Sequence, residues 1–139
     1  KVTSIDLDFS PLHLVQEHLD FPTNIKFIEG DILKQDLPDK SFDVIFALDV
    51  LEHIENLPEY ILLFKRLLAP NGIIVVSGPT ENILYKIGRK IAGDRFTGDY
   101  HVTNISKIKE EFKGHLKVRT IKELISPFVL FELFMAKEF

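Results

Sequence analysis

The stretch that decides the fold of this 139-residue chain is EGDILKQDLPDKSFDVIFALDVL, residues 29–51. It holds a Gly-Asp pair at the end of one apolar run, then a polar turn with a proline, and then the apolar run Phe42–Leu48. Near-continuous apolar character is typical of a strand that is buried on both faces of a parallel sheet. The stretch therefore predicts two successive strands, Ile25–Glu29 and Phe42–Leu48, joined by a loop or a short turn of helix.

The flanking sequence alternates between strand and helix patterns. The apolar run Val2–Leu7 predicts a first strand, and Ser10-Pro11 supplies an N-cap followed by proline at the first helical position. Pro58 begins a later helix, and Ile73–Ser77 predicts a fourth strand after the turn Pro70-Asn71-Gly72. Apolar positions at helical spacing support both helices: Leu12, Val15 and Leu19 in one, and Ile61, Phe64, Leu67 and Leu68 in the other. The order predicts an α/β fold with a doubly wound, mostly parallel sheet and right-handed crossovers.

The pattern changes after Thr80. A helix is predicted by the apolar positions Ile83, Leu84, Ile87 and Ile91, and the Gly-rich, aromatic stretch GDRFTGDYHV follows it. A short helix is predicted at Ser106–Phe112, with Ser106 as its N-cap. The segments His115–Leu124 and Phe128–Lys137, separated by Ser126-Pro127, predict a C-terminal antiparallel hairpin.

Composition excludes several classes of function. The formal net charge of −4 argues against a protein that binds the phosphate backbone of nucleic acids, because such proteins carry a basic face. The chain has no cysteine, which excludes disulfides, thiolate metal sites and a cysteine nucleophile. No run approaches the roughly 18 apolar residues of a membrane span. We therefore expect a cytoplasmic protein that acts on neither nucleic acid nor membrane.

Carboxylates follow the predicted strands at the edge where a doubly wound sheet binds its ligands. Asp6, after the first strand, could accept hydrogen bonds from the vicinal hydroxyls of a ribose. The alternative is a solvated acid near the start of a helix, favoured by the helix dipole. Asp31 could accept from an adenine amino group while Ile32 covers the ring; the alternative for Asp31 is a turn residue beside Gly30.

These motifs together resemble the class I S-adenosylmethionine-dependent methyltransferases, in particular the small-molecule group that includes ubiquinone and menaquinone biosynthesis enzymes. That family has an acid after its second strand, a D-[AIL] pair before an LP-x-x-x-FD segment, a helix–Pro–Gly-Gly–strand unit and an H-x-x-x-[FS] segment. The matching parts of this chain are Asp6, Asp31 with Ile32, Leu37-Pro38 with Phe42-Asp43, KRLLAPNGIIVVSGP at residues 65–79, and HVTNIS at residues 101–106.

The resemblance implies a Rossmann-like fold, S-adenosylmethionine as the cofactor, and methyl transfer to a small-molecule acceptor. It implies that Asp6 holds the ribose and that Asp31 and Ile32 hold the adenine. It also implies that side chains after the third strand pack along the cofactor, namely Leu48, Val50 and Leu51.

One departure from the family concerns its first strand and glycine-rich loop, which are not found in this sequence. In the family that strand lies in the middle of the sheet, between the strands that here begin near Val2 and near Phe42. Its loss would interrupt the ladder of backbone hydrogen bonds at the centre of the sheet. We therefore expect residues 1–139 to be a single methyltransferase-like domain that is incomplete at its N-terminus.

The acceptor side is assigned to the segment Tyr85–His101. His101 is the candidate catalytic residue, because an imidazole can take a proton from a nucleophile near neutral pH. The alternative is a loop histidine that packs or caps. Asp49 and His53 have the spacing to face one metal ion on a helix, but two ligands do not make a site, and we expect no metal.

Two rival functions follow from the same residues. A methyltransferase-like domain without its glycine-rich loop could serve as a non-catalytic scaffold or partner that has lost cofactor binding. A nicotinamide-dependent dehydrogenase would share the acid and the crevice, but the LP-x-x-x-FD segment is not typical of that class.

Overall fold

A computed structural model of the chain describes residues 1–12, 23–80, 102–124 and 131–139. It confirms the predicted α/β class, since the described parts of the chain contain both β-strands and α-helices. These parts form two compact units, residues 1–37 and residues 38–139. The predicted helix after Ser10-Pro11 and the one at residues 83–91 fall largely or wholly outside the described residues.

The first unit is built on a parallel pair of strands. Strand β1 covers Val2–Asp6 and β2 covers Ile25–Glu29, in register from Val2 opposite Ile25 to Asp6 opposite Glu29. The bounds of β2 are those predicted, and β1 ends one residue earlier than predicted. Because the strands are parallel, their carboxyl ends lie at the same edge, where a 3₁₀ turn at Ile32–Lys34 follows.

In its described residues the second unit consists of a four-stranded mixed sheet and two α-helices. Its strand order is β3-β4-β6-β5; β3 and β4 are parallel, and β6 pairs antiparallel with both β4 and β5. The predicted C-terminal hairpin is therefore confirmed. In chain order the elements are β3 (Phe42–Leu48), a 3₁₀ turn (Leu51–His53), α1 (Leu57–Leu67), β4 (Leu68–Pro79), α2 (Ile105–Lys113), β5 (Lys117–Leu124) and β6 (Phe131–Lys137).

The core of the second unit lies between one face of this sheet and the apolar stripes of the helices. Phe112 of α2 packs edge-to-face on Phe134 of β6, with ring centroids 5.4 Å apart. The register places Phe134 on the same sheet face as Val76 and Ala47. The side chains buried in this core include Ile61, Phe64, Ile74, Val76, Ile105, Ile108, Phe112, Phe134 and Ala136.

Two local predictions are wrong in detail. The N-cap of α2 is Asn104, not Ser106, because the Asn104 side chain accepts a hydrogen bond of 3.1 Å from the backbone N–H of Lys107. Strand β4 begins at Leu68 rather than Ile73, since Leu68 already pairs with β3 before a shift in register. The predicted turn is present inside this strand, where Asn71 has a left-handed φ of 66°.

The prediction that β3 is buried on both faces is also wrong. Ala47 is buried, but Val44, Phe46 and Leu48, which share the other face, are 41%, 66% and 52% exposed. Within the parts of the chain that the structure describes, β3 pairs along one edge only, with β4, just as β1 pairs only with β2. The apolar composition of β3 predicts a strand in the interior of a sheet. The described neighbours of β3, however, cover only one of its faces and one of its edges.

Candidate functional site

Asp6 lies at the carboxyl edge of the β1–β2 pair. Its backbone oxygen accepts a hydrogen bond of 2.7 Å from the N–H of Gly30, which extends the parallel ladder one step past β2. One carboxylate oxygen, Oδ1, accepts from the N–H of Asp8 at 3.2 Å, and the residue is exposed. An exposed carboxylate with a fixed backbone is suited to accept hydrogen bonds from ligand hydroxyls.

Asp31 follows in the turn that closes β2. Its Oδ1 accepts a hydrogen bond of 2.9 Å from the N–H of Leu33, so it caps the 3₁₀ turn. Its backbone oxygen accepts from Gln35 Nε2 at 3.1 Å. Gly30 has φ of 131°, which other residues rarely adopt. The turn role that the sequence left open for Asp31 is therefore present in the structure. It occupies Oδ1, and a carboxylate has a second oxygen that can accept.

Ile32 opens the 3₁₀ turn beside Asp31 and is half-buried. An apolar side chain next to a carboxylate is the pairing that a flat, amino-bearing ring requires, because the ring has an apolar face and a polar edge. The structure thus brings Asp6, Asp31 and Ile32 to one edge of one unit.

The loop after β3 carries the other predicted cofactor residues. Leu48 ends the strand and is 52% exposed, and Val50 is 45% exposed. Between them Asp49 has a left-handed φ of 52°, and its N–H donates to the Ser77 oxygen of β4 at 3.2 Å. Leu51 is only 1% exposed, so in this structure it packs in the core, while Leu48 and Val50 offer apolar surface to a ligand.

Glu52 joins two parts of the second unit, a contact that the sequence did not predict. It is 2% exposed, and its backbone oxygen accepts hydrogen bonds from the N–H groups of Val102 and Thr103 at 2.8 and 3.2 Å. The loop after β3 is thereby tied to the segment that leads into α2. The whole predicted acceptor segment, Tyr85–His101, lies outside the described residues.

A second polar cluster links α2, β5 and β6. Lys109 of α2 forms an ion pair with the mostly buried carboxylate of Glu132, and Thr120 donates to the same oxygen, Glu132 Oε1, at 2.8 Å. Glu132 pairs in register with Gly78, near the carboxyl end of β4. A periodic sequence pattern cannot predict this cluster, because its members are 11 to 23 residues apart in the chain.

The described residues contain neither a cluster of metal ligands nor a helix that could span a membrane. No group of three His, Cys, Asp or Glu side chains there is arranged to hold a metal ion. No described helix is long and apolar enough to cross a membrane.

Comparison with known proteins adds to this geometry. The family model described as "Methyltransferase domain" matches residues 1–76, more than half of the chain. Phosphoethanolamine N-methyltransferase 3 of Arabidopsis thaliana is 30% identical over 77 residues, which cover 55% of this chain and 16% of that protein. Ubiquinone biosynthesis O-methyltransferase of Rickettsia conorii is 36% identical over 53 residues, which cover 38% of this chain and 18% of that protein. The chain thus matches less than a fifth of the length of each of these two relatives.

Among solved structures, N-methyltransferase NodS from Bradyrhizobium japonicum, in complex with S-adenosyl-L-homocysteine, has a TM-score of 0.66 at 18% identity. The match covers 98% of this chain and 65% of NodS, and at this identity it concerns the fold. The family resemblance predicted from the sequence is confirmed. This chain belongs to the methyltransferase domain family.

Proposed function

We propose that this protein binds S-adenosylmethionine and transfers its methyl group to a small-molecule acceptor. The observation that carries the proposal is the edge of the β1–β2 pair, where the Gly30 N–H bonds the Asp6 oxygen and so brings Asp6 and Asp31 together. This edge lies within residues 1–76, the part of the chain that matches the methyltransferase family.

The residues present fit the proposed cofactor. The exposed carboxylate of Asp6 would accept hydrogen bonds from the ribose hydroxyls, and Asp31 with Ile32 would hold the edge and face of the adenine. In the second unit, taken by itself, Leu48 and Val50 are exposed apolar side chains, and the cofactor role that the resemblance implies for them stays a prediction. The same residues fit a diol and an amino-bearing ring chemically, since carboxylates only accept and these groups donate.

Methyl transfer requires the protein mainly to position the acceptor relative to the methyl group. When bound, the sulfonium of S-adenosylmethionine supplies an activated methyl group, so the residues of this chain need only align an acceptor with it. A base is required only where the acceptor must lose a proton. We assign that role to His101. It immediately precedes Val102, whose N–H is held by the Glu52 oxygen in the loop after β3.

A small molecule is the favoured acceptor because the net charge of −4 disfavours an anionic polymer. The segment Tyr85–His101 is proposed to cover this acceptor and set its specificity. His101→Ala should then lower the rate of methyl transfer while leaving cofactor affinity unchanged, and Tyr85→Phe should change acceptor affinity. The assignment fails if neither variant alters turnover or acceptor affinity.

The cofactor proposal is tested by equilibrium dialysis with radiolabelled S-adenosylmethionine. We expect Asp6→Asn to weaken binding by about tenfold or more, because hydrogen bonds to a charged group contribute about 1.5–3 kcal/mol. Asp36→Asn is the matched control: Asp36 is an exposed acid of the same unit, and its loss changes the net charge equally. Equal affinities for the wild type and Asp6→Asn would contradict the assignment of Asp6. A folded wild type that retains no label would contradict cofactor binding itself and favour the scaffold function.

A further inference from the structure

The turn that follows Asp6 folds back onto β2. The Phe9 ring packs edge-to-face on Phe27, with centroids 5.4 Å apart and planes at 79°. The backbone N–H of Phe9 donates to Glu29 Oε2 at 3.4 Å. Phe27 and Glu29 are two residues apart on β2, so they lie on the same face of the strand. Phe9 is therefore held at two points, one apolar and one polar.

The turn begins at Asp6, the residue whose carboxylate is proposed to bind the ribose. Asp6 Oδ1 accepts from the Asp8 N–H at 3.2 Å, and Asp8 Oδ1 accepts from the Ser10 N–H at 2.7 Å. Each of these bonds fixes one carboxylate against the backbone two residues ahead. The orientation of the Asp6 carboxylate therefore depends on the path of residues 7–10, and that path is anchored where Phe9 meets β2.

The register places Glu29 directly beside Asp6 on the neighbouring strand. The Glu29 carboxylate supplies the acceptor for the Phe9 N–H, and so it links the turn to the strand that lies beside Asp6.

We propose that Glu29 is a positioning residue for Asp6: by holding the Phe9 N–H, it fixes the turn of residues 7–10 and with it the Asp6 carboxylate that receives the ribose. The inference rests on the proposed function, since it takes Asp6 as the ribose acid. Glu29 itself does not touch the cofactor in this account. Its effect passes through the backbone of Phe9, and any side chain with an oxygen acceptor at the same reach should replace it.

The test compares Glu29→Ala with Glu29→Gln, using S-adenosylhomocysteine as the ligand in calorimetric titrations. Losing one hydrogen bond in the positioning turn should weaken binding by about three- to tenfold in Glu29→Ala. Glu29→Gln retains an acceptor oxygen, so it should restore affinity to within about twofold of the wild type. Asp36→Ala controls for the loss of one negative charge in the same unit.

A double-mutant cycle separates positioning from general damage to the fold. If Glu29 acts through Asp6, then Glu29→Ala should weaken binding no further when Asp6→Ala is already present. Amide hydrogen exchange at Phe9, measured without ligand, should be faster in Glu29→Ala and unchanged in Glu29→Gln. This second readout reports the contact directly and does not require cofactor binding.

The possible results are distinct. Wild-type binding together with unchanged affinity in Glu29→Ala would overturn the positioning role and leave the proposed function intact. Equal losses in Glu29→Ala with and without Asp6→Ala would also overturn it, because Glu29 would then act independently of Asp6. A folded wild type that does not bind S-adenosylhomocysteine would overturn the proposed function and this role with it.

Discussion

Replacing Gly78 by alanine should disturb the contact between β4 and α2 in a way that a second substitution repairs. A Cβ at this position would lie 3.3 Å from Ile105 Cδ1, 3.6 Å from Ile105 Cβ and 3.7 Å from Glu52 Oε2. Only the first distance is tighter than ordinary contact. Gly78 does not have a left-handed φ, so alanine meets a steric obstacle and no backbone strain. The missing side chain lets the first residue of α2 approach the carboxyl end of β4.

The magnitude follows from two opposed terms. Overpacking in a filled core costs about 1–3 kcal/mol. A Gly→Ala change at a permissive backbone position returns about 0.4–1 kcal/mol by restricting the unfolded chain. Gly78→Ala should therefore lower the free energy of unfolding by about 0.5–2 kcal/mol. Ile105→Val removes Cδ1, and on its own it should cost about 0.5–1.5 kcal/mol.

The double variant shows whether positions 78 and 105 are energetically coupled. Without Cδ1, the new methyl group at position 78 has room, so Gly78→Ala should cost little in the Ile105→Val background. The coupling free energy should be about 1 kcal/mol, well outside the roughly 0.3–0.5 kcal/mol within which independent sites add. The assay is urea unfolding of the wild type, both single variants and the double variant. Additive losses would refute the claim that Cδ1 of Ile105 is what excludes a side chain at position 78.

Three further variants probe single contacts. Asp31→Ala should lower the free energy of unfolding by about 1 kcal/mol through loss of the cap, and it should also weaken S-adenosylhomocysteine binding. Asp31→Asn should keep the free energy of unfolding and lose only affinity. Urea unfolding measures the first effect and calorimetry the second. Lys109→Met should lower the free energy of unfolding by about 3–5 kcal/mol, because it leaves the mostly buried carboxylate of Glu132 without its cationic partner. Lys113→Met breaks an exposed ion pair and should lower it by less than about 1 kcal/mol. Similar losses for the two variants in thermal unfolding would contradict this. Asn104→Ala should lower stability by about 1 kcal/mol through loss of the N-cap of α2, and Asn104→Ser should restore it.

The sequence predicted those elements best whose ends carry turn residues. Strand β2 is bounded by Asn24 and Gly30, and strand β3 begins directly after the polar turn that ends at Ser41; the bounds of both strands match the structure. The start of α2 did not match, because Asn104 and Ser106 are both good N-cap residues. Only the hydrogen bond from the Lys107 N–H decides between them.

The candidate site was predictable as far as its residues are local. Asp6 ends β1 and Asp31 follows β2, and parallel pairing brings both to one edge. The sequence could not settle whether Asp31 serves the turn or a ligand, since the same carboxylate geometry suits both. Contacts such as Phe9 with Glu29, or Glu52 with Val102, join residues far apart in the chain. No periodic pattern encodes such pairs, because they depend on the path of the turns between them.

Cofactor binding is tested most directly by a calorimetric titration of the 139-residue chain with S-adenosylhomocysteine, with circular dichroism to establish that the chain is folded. We expect saturable binding at one site in the micromolar range, and no binding of NADH, a nicotinamide cofactor, under the same conditions. A folded chain that gives no binding heat with S-adenosylhomocysteine and no displacement of labelled S-adenosylmethionine would contradict the account, as would preferential binding of NADH.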